Sequence, residues 1–158
     1  MRRLDFLSKL KTEGKLLLVE PSNEISDSYL GKADNCLRSA RILLDSDLYE
    51  NSVSMSYYAM YNSLTALLFK VGVKCENHAG SIVVFRELFG RKDLYRTVSF
   101  AKKERIDKQY YVSLVLTKKS AVDLYRKVED FLLEIKLMIK NVRGEDIPRL
   151  RDKATRTI

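Results

Sequence analysis

The sequence predicts an all-α fold, an up-and-down antiparallel bundle of about four to six helices with short accessory helices. Three observations carry that expectation: apolar residues recur at spacings of four and three along three long segments, the breaks between segments are short, and glycine or proline stands at several of their ends. With 158 residues, 46% hydrophobic and 32% charged, the chain is long enough for one sizeable core and too short to expect two. A single domain is expected over residues 1–143, with its core in 22–141, followed by a basic, flexible tail at 144–158.

The elements follow in order. A short helix is expected near Asp5–Glu13 and an extended stretch at Leu16–Val19. Pro21-Ser22 then offers a cap to a second helix running to about Asp45, with Glu24 and Asp27 favourable near its positive end and Ala33, Leu37, Ala40 and Leu44 on its buried side. The third helix covers Leu48–Val71, where Val53, Tyr57, Met60, Leu64, Leu67 and Val71 make one stripe and Gly72 is a natural stop. Tyr57 and Met60 are therefore expected in the core. Tyr58 and Tyr61 fall off the stripe and fit a second packing face, a dimer interface or the side of a polar pocket. Shorter helices are expected at about Ala79–Phe89, ending at Gly90, and at Leu94–Lys103. The last long helix starts near Thr117, repeats the pattern through Ala121, Tyr125, Val128, Leu132, Ile135 and Ile139, and stops at Gly144 and Pro148.

Several function classes are excluded at this level. The longest apolar run, Ala66–Phe69, is too short to cross a bilayer, and the N-terminus lacks the apolar centre and cleavage site of a secretory signal, so the cytoplasm is the expected location. Cys36 and Cys75 read as free thiols, and with one histidine in the chain they make no metal site of ordinary spacing. No glycine-rich phosphate loop, nucleophile elbow or zinc-protease motif is present, and nothing in the pattern calls for a cofactor.

Charge is uneven. The net charge is +8 overall, and residues 91–126 alone carry ten basic and four acidic side chains. Lys102, Lys103, Arg105 and Lys108 are interleaved there with Tyr95, Tyr110 and Tyr111, the chemistry of a surface that meets phosphates and stacks on bases. A solvated basic face without a ligand would read the same way.

The stretch Ser52-Val-Ser-Met-Ser-Tyr-Tyr-Ala-Met-Tyr61, a glycine-containing turn, and Asn77-His78-Ala-Gly at the start of the next helix together resemble the HEPN domain in its small stand-alone prokaryotic form. The resemblance runs from about Ser22 to Asn141. It implies a helical bundle, a homodimer, and pairing with a small nucleotidyltransferase in a toxin–antitoxin-like system, in some of which a tyrosine close after the arginine motif receives adenylate. Tyr110 or Tyr111 would be that residue here. Active HEPN ribonucleases carry Arg-x(4–6)-His, the histidine handling a proton and the guanidinium stabilising phosphate charge without metal. In Glu104-Arg105-Ile-Asp-Lys-Gln-Tyr110 the arginine is present, but Tyr110 stands where the histidine would be, and a phenol with pKa near 10 is a poor base at neutral pH.

His78 has no arginine four to six residues before it. A lone histidine at a helix entrance reads as a capping or packing residue whose ring bonds a backbone carbonyl, although the fold could bring it near Arg105. Three functions follow. The favoured one is a HEPN module that binds RNA or a nucleotide through Lys102, Lys103, Arg105, Lys108, Tyr110 and Tyr111 and pairs with itself or a nucleotidyltransferase, without the standard ribonuclease activity. The alternative is a metal-independent endoribonuclease using Arg105, Tyr110 and His78 in a rearranged site. The third is a structural interaction module with Tyr58 and Tyr61 at its interface.

Overall fold

Ser22 and Thr117 stand just before the two longest helices, and each side-chain oxygen accepts a hydrogen bond from the backbone N–H three residues on, Ile25 at 3.1 Å and Ser120 at 3.2 Å. The structure, a computed structural model, describes residues 3–110 and 116–157, with side chains at 5–106 and 116–157. The order of elements is α1 (Arg3–Thr12), β1 (Leu16–Leu18), α2 (Asn23–Asp45), α3 (Tyr49–Lys70), β2 (Val73–Cys75), α4 (His78–Phe89), α5 (Lys92–Tyr110), α6 (Lys118–Asn141) and α7 (Asp146–Thr157). The fold is an all-α bundle with one small antiparallel ribbon, Leu16 opposite Cys75 and Leu18 opposite Val73.

Contacts between the helices fix their directions. Ser52 Oγ donates to the Ala40 carbonyl, Asn62 reaches Cys36 Sγ and Lys70 reaches Asn23, so α3 descends along α2. The Arg41 guanidinium lies over the Tyr125 ring and Lys136 pairs with Asp34, so α6 also runs antiparallel to α2. The stripe expected in α3 is its buried face: Val53, Tyr57, Met60, Leu64, Leu67 and Val71 are all inaccessible, meeting Phe85 of α4 and Phe131 and Ile135 of α6 in one core. Truncating such a residue, as in Leu64→Ala, costs about 2–5 kcal/mol by lost transfer energy and a residual cavity. No helix among the described residues is long and apolar enough to cross a membrane.

Four expectations change. The turn after α3 contains a strand, β2, too short to show a period of two. Helix α5 extends past Lys103 to Tyr110; its last turns are mostly charged, so the apolar periodicity that marks a helix stops before the helix does. Ile139 is only partly buried, unlike the rest of the α6 stripe. The tail expected to be flexible forms α7 over 146–157. Pro148 does not break it, because it lies in the first turn, where a missing N–H and a fixed φ are tolerated. Helix α7 buries Leu150 and Ala154, and Arg151 donates to the carbonyls of Val19 and Gly72 while Lys153 donates to that of Leu88. Gly72 has φ +77°, and a Cβ there would run into the Val19 carbonyl and the Arg151 guanidinium, so this corner requires glycine.

Candidate functional site

Helix α4 starts at His78, and the residues around it hold its first turn tightly. The Asn77 side chain accepts from Gly80 N at 2.8 Å, Ser81 Oγ donates to the Asn77 carbonyl, and a Cβ on Gly80 would strike Leu10 and Cys75. The imidazole is thereby aimed at α3. Its Nδ1 lies 2.7 Å from the Tyr57 hydroxyl, its face stacks on the Tyr61 ring with centroids 3.7 Å apart, and Tyr58 approaches edge-on at 6.3 Å. Arg105, from α5, completes the group: its guanidinium carbon is 4.9 Å from the Tyr58 ring centre and 5.5 Å from that of Tyr57.

Burial, then the mutual repulsion of Tyr61, pushes the Tyr57 phenol well above its ordinary range, and burial raises Tyr61 as well. Burial first, and the nearby Arg105 and Lys102 cations next, lower His78 from 6.5. At neutral pH the pair is therefore a protonated phenol and a neutral imidazole. Tyr57 is fully buried, and His78 is the hydrogen-bond partner of its hydroxyl among the described residues. The phenol O–H donates to Nδ1, which leaves the ring proton on Nε2. The opposite arrangement would strand a buried hydroxyl hydrogen without an acceptor, at a cost of about 1–3 kcal/mol. His78 accordingly offers an N–H donor, beside a guanidinium and an ammonium.

Arg105, His78 and Lys102 come together across two helices. The stacking partner of His78 is a phenol ring and its hydrogen-bond partner another phenol, not the backbone carbonyl expected. Tyr58 and Tyr61, left open between packing face, interface and pocket, both lie against the His78 ring. Lys103 is exposed one residue further on. Lys108 and Tyr110 lie on the backbone of α5 with side chains outside the described residues, and Tyr111 lies outside them altogether. Sequence reasoning placed Tyr57 in the core alone. A hydroxyl at a fully buried stripe position needs a partner, and that need was the one signal for its second role.

The basic segment divides in two. In its first part Arg91 is neutralised: it pairs with Asp93 at 2.7 Å and with Glu134 of α6 at 3.0 Å, beside a depression of about 520 Å³ that Arg96 and Lys127 share with Asp130. Among the described residues no carboxylate pairs with Lys102 or Arg105, the recorded ion pairs nearby being those of Arg86 and Arg91. Next to them, between α4 and α5, opens a cleft of about 340 Å³.

The HEPN domain family model matches residues 26–138 of the chain. A UPF0332 protein of Thermotoga maritima is 25% identical over 125 residues, 76% of this chain and 95% of that one. Two proteins of Methanocaldococcus jannaschii are similar as well. The one named "Putative toxin MJ0605" is 28% identical over 138 residues, 81% of this chain and 98% of that one. The one named "Putative toxin MJ0142" is 27% identical over 128 residues, 76% and 87% of the two chains.

Proposed function

The chain belongs to the HEPN domain family, and from that premise we propose that it is a toxin-like module that holds the phosphates of RNA at Arg105, Lys102 and His78. One observation carries the reading: the Arg105 and Lys102 cations of α5 lie near His78 at the start of α4, with no carboxylate pairing either cation among the described residues. Such a corner supplies what a phosphodiester needs, charge-assisted hydrogen bonds of about 1.5–3 kcal/mol each. The positive end of the α4 dipole adds to it. The toxin names of two relatives support the toxin-like part of the reading. Under this reading the module acts with a second copy of itself or with a small nucleotidyltransferase. A mass measurement in solution that returned a monomer at micromolar concentration would remove the first of these.

Cleavage is the second reading, and the proximity of Arg105 to His78 favours it. The balanced step has the ribose 2′-oxygen bond to phosphorus as the bond to the 5′-oxygen breaks, with the guanidinium stabilising charge on the phosphoryl oxygens and the imidazolium form of His78 passing its Nε2 proton to the departing oxygen and returning to neutral imidazole. The 2′-hydroxyl proton leaves to water. A neutral imidazole N–H is a good donor and a weak acid, so the geometry carries binding further than cleavage. Any cleavage should rise as pH falls toward the His78 titration.

The test is a metal-free binding and cleavage assay on labelled RNA over a salt series with wild type, Arg105→Ala and His78→Ala. Salt-sensitive binding that drops in both variants supports the first reading. Cleavage lost in both establishes the second. RNA that binds all three proteins equally, or none of them, refutes both.

A further inference from the structure

We infer that the cleft between α4 and α5 is a subsite for one unpaired nucleobase of the bound RNA, an inference that rests on the reading above. Its walls are built by helical spacing: Ala79, Ile82 and Val83 share one stripe of α4, and Tyr95, Ser99 and Ile106 share the facing stripe of α5. Lys102 lines the cleft and also lies near His78, so the cleft adjoins the phosphate corner. Lys102 and Lys103 stand among its lining. The result is an apolar and aromatic slot with cations at hand, the pairing of chemistries found along a nucleotide, whose flat apolar ring lies a few bonds from its charge.

Size and polarity narrow the occupant. At about 340 Å³ the slot is at the small end of sites for organic ligands and suits one heterocycle. The Arg86 guanidinium, 4.7 Å from the centre of the Tyr95 ring, covers that ring and holds it in place. Apart from the lysines, the polar side-chain groups of the lining are two hydroxyls, those of Ser99 and Tyr95, too few to read the edge of a base in full. Recognition must then come from stacking and apolar contact, which tolerate any base but require that the base be free of its pair. The module should therefore select single strands over duplexes of equal charge.

The experiment measures, by fluorescence anisotropy at fixed salt, the binding of a labelled single-stranded RNA, the same-length abasic ribose–phosphate polymer and the corresponding duplex. The proteins are wild type, Val83→Trp, which fills the slot, and Arg105→Ala. The expected result is that wild type binds the single strand roughly 5- to 150-fold more tightly than the abasic polymer, the range for one stacked base. Val83→Trp should erase that preference and leave the salt slope unchanged. If wild type binds the abasic polymer as well as the RNA, while Arg105→Ala weakens both, the base subsite is refuted and phosphate binding stands. The comparison of polymers uses wild type alone, so it remains decisive if Val83→Trp does not fold. If no polymer binds in a salt-dependent way, both readings fall together.

Discussion

Arg91 and Arg105 stand near the two ends of the same helix and differ in what opposes them. Arg91 meets carboxylates. Its Nε and Nη2 donate to the two oxygens of Asp93 and its Nη1 donates to Glu134, so it links the start of α5 to α6, and it holds the Asp93 carboxyl down to about 2. Arg105 meets the faces of Tyr57 and Tyr58. An exposed ion pair of the first kind contributes at most about 1 kcal/mol to stability and cancels its own charge as seen from solution. A guanidinium over rings keeps its charge and its donors. A basic stretch in a sequence is thus two different things, and the difference lies in the opposing element rather than in the stretch.

The largest effect should separate the two arginines directly. Arg105→Ala is expected to weaken RNA binding about 10- to 100-fold, with the salt slope smaller by about one, and to shift the melting temperature little. Arg91→Ala should do the reverse, changing affinity less than about threefold while lowering the melting temperature by a few degrees. Equal losses of affinity would abolish the distinction.

Next in size comes pH. Because burial and the neighbouring cations hold His78 below 6.5 in the free protein, a bound phosphate must raise it, and binding takes up a proton. Affinity should then increase several-fold from pH 8 to pH 6 in wild type and stay flat in His78→Ala, read by anisotropy in one buffer series. A flat wild-type profile would leave His78 outside the site.

Tyr57→Phe sharpens the same point. Removing the phenol deletes the donor that favours the neutral ring, so the His78 titration, followed by NMR on the one histidine of the chain, should move upward, with a stability cost of about 0.5–1.5 kcal/mol. An unmoved titration would mean that the phenol does not set the tautomer.

The smallest effect is on stability. A histidine whose folded value lies below 6.5 remains neutral while the unfolded chain takes up a proton, so stability is complete above that pH and declines as pH falls through the window beneath it. Thermal melts of wild type should show this decline below about pH 6.5, and His78→Ala should lose that part of it.

The helices were legible because their information is local. The spacings through Val53–Val71 and Ala121–Ile135, the oxygens of Ser22 and Thr117, and the stops at Gly72 and Gly90 each act within a turn or two of chain. The contact of Arg105 with the ring system of His78 was not legible, because it depends on where two helices cross, and no spacing test along one helix sees that. Helix α7 was missed for a related reason. Its sequence is mostly charged and carries Pro148, and only Leu150 and Ala154, one turn apart, face the bundle. Its remaining anchors are long cationic side chains seeking carbonyl groups far away in the chain.

The tyrosine cluster gives the protein a built-in optical reporter. The chain has nine tyrosines and no tryptophan, so no indole masks phenol absorption or emission. Three of the nine, Tyr57, Tyr58 and Tyr61, are crowded against one imidazole, and the first two also lie near the Arg105 guanidinium. Rings at such separations couple their transitions and give asymmetric signals that freely turning surface phenols do not. An anion drawing Arg105 away from those rings would change the near-ultraviolet dichroism of the unlabelled protein, so occupancy of the corner can be followed without dye, isotope or substitution.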